Sequence, residues 1–170
     1  QVSFEYSASA IAYAIVIMRV SMGWIFLQAG LEKLFAAEPW TAAGFLQFAI
    51  PEGNPFTAWF ASMAGNATVD ALVIWGQILI GACLILGLFV RGAAFWGAVQ
   101  MVLFWMASLE GGLSEFLPLA HGWVIDDHLI YAFILYFLGA IGAGRILGLD
   151  GRLENSDFVK NNSWVKLLTG

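Results

Sequence analysis

The sequence is poor in charged residues. Only 11% of its 170 residues are charged and 61% are hydrophobic, whereas a soluble domain carries about 25% charged residues. Such a chain cannot cover a water-facing surface, so the soluble globular class is excluded. The mean hydropathy of +0.81 indicates a protein whose outer surface meets lipid.

The sequence has one cysteine, Cys83. One thiol cannot form a disulfide within the chain, and it cannot build an iron–sulfur or structural zinc site. Cys83 lies in an apolar stretch, so we expect a small core side chain there. The sequence also lacks a Gly-rich phosphate loop, a nucleophile elbow and a CxxC pair. The net charge of −5 argues against nucleic acid as a partner.

Four long apolar blocks are present instead. A helix that crosses a hydrocarbon core of about 30 Å needs about 20 residues, and continuous blocks favour helices over a β-barrel. We predict an all-α integral membrane four-helix bundle over residues 1–150, followed by a cytoplasmic tail at 151–170. The predicted helices cover about 8–35, 69–90, 93–109 and 127–147, with Arg91-Gly92 as the turn between the second and third.

The loop at 37–68 is predicted to contain two short helices. Proline would open the first helix at Pro39, and Pro51 would stop it after Ile50. Asn54-Pro55 would start the second helix, and Gly65 would end it. Helices this short lie in the membrane interface rather than crossing it. They form either an aromatic lid over one end of the bundle or a purely structural surface loop.

The basic residues predict an orientation. One side of the membrane holds most of them, namely Arg91, Arg145, Arg152, Lys160 and Lys166. The positive-inside rule places that side, with both chain termini, in the cytoplasm of a multi-pass cell-membrane protein. The loop at 37–68 would then face outward.

Arg19 is predicted to lie near the middle of the membrane, about 16 Å along the first helix. An arginine there costs at least about 2.5–3.5 kcal/mol and needs a partner. No carboxylate is expected at that depth, and Gln100 and Tyr13 are the nearest polar candidates. Arg19 would reach lipid phosphates, bond helix carbonyls and Gln100, or meet an oxygen-bearing ligand. These alternatives stay open.

A polar mouth is predicted where the outer helix ends meet. Lys33 would pair there with one of the acids. Capping of helix N-termini explains Asp70 and Asp126 equally well, and the alternative is a path for a polar substrate or protons. The candidate residues are Glu32, Lys33, Asp70, Asp126, Asp127 and His128. The spacing of His121 and His128 matches no strong metal pattern, and no facing histidine pair exists for a haem, so we expect neither.

Three segments together resemble the DoxX/DoxD family of small four-helix membrane proteins. The first runs from Arg19 to Trp24 and on through Gly30 to Leu34, and the second is Gly87–Arg91. The third leads from Asp127-His128 through Gly142–Arg145 to Leu149-Asp150. The resemblance carries over the matching positions Arg19, Lys33, Arg91 and Arg145.

The resemblance implies a function for the bundle. DoxD members are the membrane subunit of a thiosulfate:quinone oxidoreductase, which works with a second subunit called DoxA. The interpretation is a quinone-linked oxidoreductase subunit, with Arg19, Lys33, Gln100 and Tyr13 as quinone-binding candidates. Its partners would be the lipid membrane and either a DoxA-like subunit or further copies of the chain. The alternative is a non-enzymatic bundle that binds a lipid or isoprenoid, or that scaffolds a membrane complex.

Overall fold

A computed structural model describes residues 7–109 and 125–170. All regular elements in these ranges are helical, which confirms the predicted all-α class. The α-helices in chain order are α1 (Ala8–Leu34), α2 (Thr57–Ala61), α3 (Ala67–Leu86), α4 (Val90–Ser108), α5 (Asp127–Ala140), α6 (Asp150–Leu153) and α7 (Asp157–Asn161).

The bundle consists of α1, α3, α4 and α5. The first three are each long and apolar enough to cross a membrane. The pairs α1–α3 and α4–α5 pack extensively, α3 and α4 less so, and α1 touches α5 least of the neighbours. The central core includes Phe26, Leu84, Leu135 and Leu138, and Cys83 packs against it as expected. This membrane-protein architecture is the one predicted.

Helices α1 and α3 touch through their backbones. A Cβ atom added at Gly23 would lie 2.9 Å from the Gly81 carbonyl oxygen, and one added at Gly81 would lie 2.7 Å from the Gly23 oxygen. Small residues allow this approach in a bilayer, where the hydrophobic effect no longer drives helices together. The two glycines therefore set the close spacing of this pair.

The turn between α3 and α4 lies at Gly87–Phe89, earlier than the predicted Arg91-Gly92 turn. Gly87 ends α3 in the left-handed conformation at φ +65°, which glycine adopts without strain. The carboxylate of Asp150 accepts hydrogen bonds from the N–H groups of Phe89 and Val90, at 2.7 and 2.9 Å. These bonds start α4 before Arg91, which becomes a first-turn residue. We call this end of the bundle the turn end.

Helix α5 is shorter than predicted. It ends at Ala140 rather than near residue 147, and its 14 residues extend only about 21 Å. Gly142 turns the chain in the left-handed conformation at φ +67°. In the segment that follows this turn, Arg19 binds the carbonyls of Ala143, Ile146 and Leu147.

Residues 150–170 are folded against the turn end rather than forming a free tail. Val159 and Val165 are fully buried there. The N–H of Gly170 donates to Asp150 Oδ2 at 3.1 Å. Arg145 forms a forked ion pair with Glu154, with an Nη2–Oε1 distance of 2.8 Å.

The opposite end, called the loop end, is covered by residues 35–66. Its first helix is a π-helix at Phe45–Ala49 and not a helix starting at Pro39. The second, α2, ends at Ala61 before the predicted stop at Gly65. Leu46 and Phe60 pack with Ala107 of α4 in a second apolar cluster. The loop therefore closes this end, although its position in the membrane interface remains a prediction.

Asn54 fixes the loop to the end of α4. Its Oδ1 accepts from the Phe56 N–H at 2.8 Å, but α2 starts at Thr57 with Phe56 as its N-cap, so the predicted start of this helix at Asn54-Pro55 is wrong. Its Nδ2 donates to the carbonyls of Met106 and Leu109 at 2.9 and 3.0 Å. These carbonyls are at the end of α4 and have no partner within the helix.

We predict that Asn54→Ala loosens the loop end. The substitution leaves buried carbonyls of α4 unpaired, which costs about 1–3 kcal/mol. Hydrogen exchange in residues 45–66 should accelerate in detergent-solubilised protein. Asn155→Ala, which removes an exposed asparagine bond to Gly151, should leave this exchange unchanged. Equal exchange in both variants would contradict the role of Asn54.

Candidate functional site

Arg19 is bound to the chain that follows α5. Its side chain is 1% exposed. Nη1 donates to the carbonyls of Ala143 and Ile146 at 2.5 and 2.9 Å, and Nη2 donates to the Leu147 carbonyl at 3.3 Å. Of the alternatives left open by the sequence, the structure shows bonding to backbone carbonyls, but these belong to the turn after α5.

Arg19 lies at the turn end and not halfway along the bundle. Its guanidinium is beside Gly87 and Gly148, at positions where an added Cβ would lie 2.9 Å from Nη1. Asp150 is near enough for its charge to act on the guanidinium. The expectation that no carboxylate shares the depth of Arg19 is therefore wrong, and Gln100 is not its partner.

Asp150 is a site residue that the sequence reasoning missed. It is fully buried. Its carboxylate accepts hydrogen bonds from the start of α4 and from Gly170, and its charge acts on the guanidinium of Arg19. A signal was present, because Asp150 directly follows an apolar block in a chain with few charges. It was assigned to the tail boundary, where acids are usually solvated.

Two residues that hydrogen-bond to Arg19 or Asp150 have a left-handed backbone conformation, which residues other than glycine rarely adopt. Phe89 has φ +52° and Leu147 has φ +48°. Such residues cost of order 1–3 kcal/mol each and persist only where their surroundings fix them. Asp150 binds the N–H of Phe89, and Arg19 binds the carbonyl of Leu147. We call this pair, with its bound turns, the clasp.

We predict that Arg19→Ala destabilises the bundle by at least about 3 kcal/mol, because three carbonyls lose their donor at about 1–3 kcal/mol each. The loss comes from three unpaired carbonyls and from Asp150 without its counter-charge. The midpoint of thermal unfolding in detergent measures it. Arg152→Ala, at an exposed position, is the control, and similar midpoints for both variants would show that the clasp does not hold the fold.

Two glutamines lie in the middle of the bundle, on the adjacent helices α3 and α4. Gln77 is halfway along α3 and is 4% exposed, and Gln100 is halfway along α4. Nε2 of Gln100 lies 3.7 Å from the position of a Cβ at Gly76, the neighbour of Gln77. The two amides are therefore at the same depth.

Both glutamines have a buried side-chain oxygen without a hydrogen-bond partner in residues 7–109 and 125–170. In a medium without water, such an oxygen costs about 1–3 kcal/mol. Polar residues in membrane helices are rare and often functional. Gln100 was a sequence candidate, whereas Gln77 was missed because glutamine alone in an apolar block also acts as a helix–helix contact. We call the two residues the glutamine pair.

The other quinone candidates are not at the glutamine pair. Tyr13 is 61% exposed, beyond the turn end. Lys33 donates to the Ala29 carbonyl at 3.0 Å and lies over the Trp40 ring, 5.3 Å from its centroid. Within the described ranges, Lys33 forms no ion pair with an acid, in contrast to the expected pairing.

The residues predicted to form one polar mouth make separate contacts instead. Asp70 accepts from the N–H of Ala42 at 2.8 Å, and the N-cap of α3 is Asn66, which overturns capping by Asp70. Glu32 is exposed and accepts from Gln28 on its own helix at 2.8 Å. Glu110, Glu115 and His121 lie outside the described residues.

Asp126 and its neighbours are brought together at the start of α5. Asp126 caps α5, as expected, by accepting from the Leu129 N–H at 3.0 Å. Its Oδ2 lies 2.7 Å from Nδ1 of His128 and accepts from the Ser108 hydroxyl at 3.2 Å. Burial alone would raise the pKa of Asp126, but these hydrogen bonds lower it overall.

The start of α5 also has three possible metal-ligand atoms within 4.8 Å of one another, one each from Asp126, Asp127 and His128. Carboxylate and imidazole are donors that divalent metals accept. The hydrogen bonds of Asp126 already explain its geometry, so the cluster by itself does not identify a metal centre. The expectation of no metal stays a prediction.

We predict that acid loosens the start of α5. A carboxyl whose pKa is lowered in the folded protein adds stability above its unfolded pKa, and this stability is lost as pH falls through the folded pKa. That loss should occur below the ordinary value of 3.8. Hydrogen exchange at residues 127–131 should therefore accelerate at low pH. Asp126→Asn should remove this pH step, and an unchanged step in that variant would refute the assignment.

A family model described as DoxX matches residues 14–109, more than half of the chain. The match covers most of α1, the loop end, α3 and α4, and so includes Arg19 and both glutamines. Neither a curated protein nor a solved structure matches the sequence significantly.

Proposed function

This chain belongs to the DoxX family of membrane proteins, and we propose that it is the quinone-binding subunit of a membrane oxidoreductase. The observation that carries the proposal is the glutamine pair. Its two unpartnered oxygens are in the middle of two adjacent helices, at a depth that an isoprenoid quinone reaches from the lipid.

The structure changes which residue would hold the quinone headgroup. Arg19 was one of four candidates from the sequence, and both of its Nη atoms already bind carbonyls of the turn end. Gln100 keeps an unused oxygen, and Gln77 adds a second one at the same depth. Such an oxygen accepts a hydrogen bond from a hydroxyl of the headgroup in its reduced form, and it carries no charge that burial would penalise.

The partner of this subunit would supply electrons. Quinone reduction consumes two electrons and two protons, so a second protein must oxidise a donor substrate. Thiosulfate is the donor in DoxD-type enzymes. The acidic residues of the loop end would repel that dianion at low salt, whereas high salt would screen the repulsion.

The orientation follows from the basic residues. Arg91, Arg145 and Arg152 are near the turn end, which supports a cytoplasmic position for that end under the positive-inside rule. The loop end would then face outward and meet the donor-oxidising partner.

The proposal is tested by measuring bound quinone. The whole chain is purified from membranes that contain quinone, and the extracted quinone is quantified per protein. Gln77→Leu and Gln100→Leu should each lower the affinity for the reduced headgroup by about tenfold, the effect of losing roughly 1.4 kcal/mol of hydrogen bonding. Gln28→Leu, on an exposed face of α1, should retain the wild-type content.

One further measurement, the unfolding temperature of each variant, makes the result decisive. The Leu variants should unfold at or above the wild-type temperature, because each removes an unpaired buried oxygen. Loss of quinone from a stable variant therefore cannot come from misfolding. Equal quinone in all variants, or none in the wild type, would refute the proposal.

An alternative function is binding of a lipid or isoprenoid without redox chemistry. The supporting observation is an open apolar groove of about 320 Å³ between α1 and α5. Its lining residues are Met18, Ile130, Phe133, Ile134 and Phe137. Mass spectrometry of the same purified protein distinguishes the two, since a retained lipid without quinone would favour this alternative.

A further inference from the structure

Resting on the proposed function, we infer that the glutamine pair binds the reduced quinol more tightly than the oxidised quinone. The inference comes from the type of atom that is left without a partner. Both unpartnered atoms are amide oxygens, which accept hydrogen bonds and cannot donate them.

The two redox forms differ in the bonds that they offer. A quinone headgroup has two carbonyl oxygens and no polar hydrogen, so it cannot satisfy an acceptor. A quinol has two hydroxyl groups, and each can donate to an amide oxygen. Binding of the quinol therefore removes a desolvation cost that binding of the quinone leaves in place.

The surroundings of the glutamine pair increase this difference. Toward the turn end, the next layer is apolar, because Phe26, Ile80 and Leu135 all approach Gly97 of α4. Such a layer keeps water from satisfying the oxygens in place of a ligand. Hydrogen bonds in this medium are also stronger than in water.

The α3–α4 seam is the route by which a ligand would reach the glutamine pair. Apart from the chain neighbours and nearby helix backbone of Gly76, the nearest atom to a Cβ placed there is Nε2 of Gln100, at 3.7 Å. The contact between α3 and α4 is less extensive than that of α1 with α3 or of α4 with α5. Both glutamine oxygens are buried, so a hydroxyl-bearing ring would reach them by parting these two helices.

This preference has a consequence for electron transfer. Tighter binding of the reduced form raises the midpoint potential of the bound quinone couple. A tenfold preference corresponds to about 30 mV for a two-electron couple. The bound quinone then accepts electrons from the partner's donor more readily than free quinone, and release of quinol becomes slower.

The test compares both redox forms on the whole chain in detergent without oxygen. A short-tailed benzoquinone and its chemically reduced quinol are each titrated by calorimetry, and the midpoint potential of the bound couple is measured. We expect the quinol to bind about tenfold more tightly, and the midpoint potential to rise by about 30 mV over protein-free micelles.

Variants assign the preference to the glutamine pair. Gln77→Leu and Gln100→Leu should abolish it, whereas Gln28→Leu should keep it. Gln100→Glu is the conservative variant, because burial keeps its carboxyl neutral and its O–H can donate to a quinone carbonyl. It should bind the quinone better than the wild type and reduce the preference for quinol.

The outcomes separate this inference from the proposed function. Equal binding of both forms, or tighter binding of the quinone, overturns the inference and leaves quinone binding intact. Binding of neither form overturns both. A preference that persists in the Leu variants overturns the assignment to these two residues.

Discussion

The fold depends on one buried cation and the carbonyls that it holds. Arg19 binds the chain after α5 through three hydrogen bonds. Nearby, Asp150 accepts hydrogen bonds from the first residue of α4 and from Gly170. A charge of this kind cannot stay unpaired in an apolar protein. The clasp therefore closes the turn end and fixes how the two helix pairs meet.

The clasp and the glutamine pair differ in how their buried polar groups are used. At the turn end, both Nη atoms of Arg19 bind carbonyls, and its Nε lacks a hydrogen-bond partner within the described residues. In the middle of α3 and α4, the amides of Gln77 and Gln100 each keep an oxygen without a partner there. An amide oxygen accepts from a hydroxyl group, which the Nε–H of Arg19 cannot do, so the glutamine pair is the site that fits a quinol.

The sequence predicted the class, the four apolar blocks and the capping by Asp126, because length and hydropathy decide these features locally. It could not predict that α5 ends at Ala140 and that carbonyls of the following segment bind Arg19, which is far away in the chain. The roles of Asp150 and Gln77 were also missed. Their roles come from contacts between helices, and an isolated helix pattern contains no information on partners.

The central claim is that the oxygens of the glutamine pair accept hydrogen bonds from a bound quinol. Redox-difference infrared spectroscopy on protein carrying ¹³C-labelled glutamine tests it most directly, because accepting a hydrogen bond weakens an amide C=O bond. The account predicts glutamine C=O bands that move to lower frequency on quinone reduction and vanish when Gln77 and Gln100 are both replaced by leucine. Glutamine bands that do not respond to the redox state of the bound quinone would contradict it.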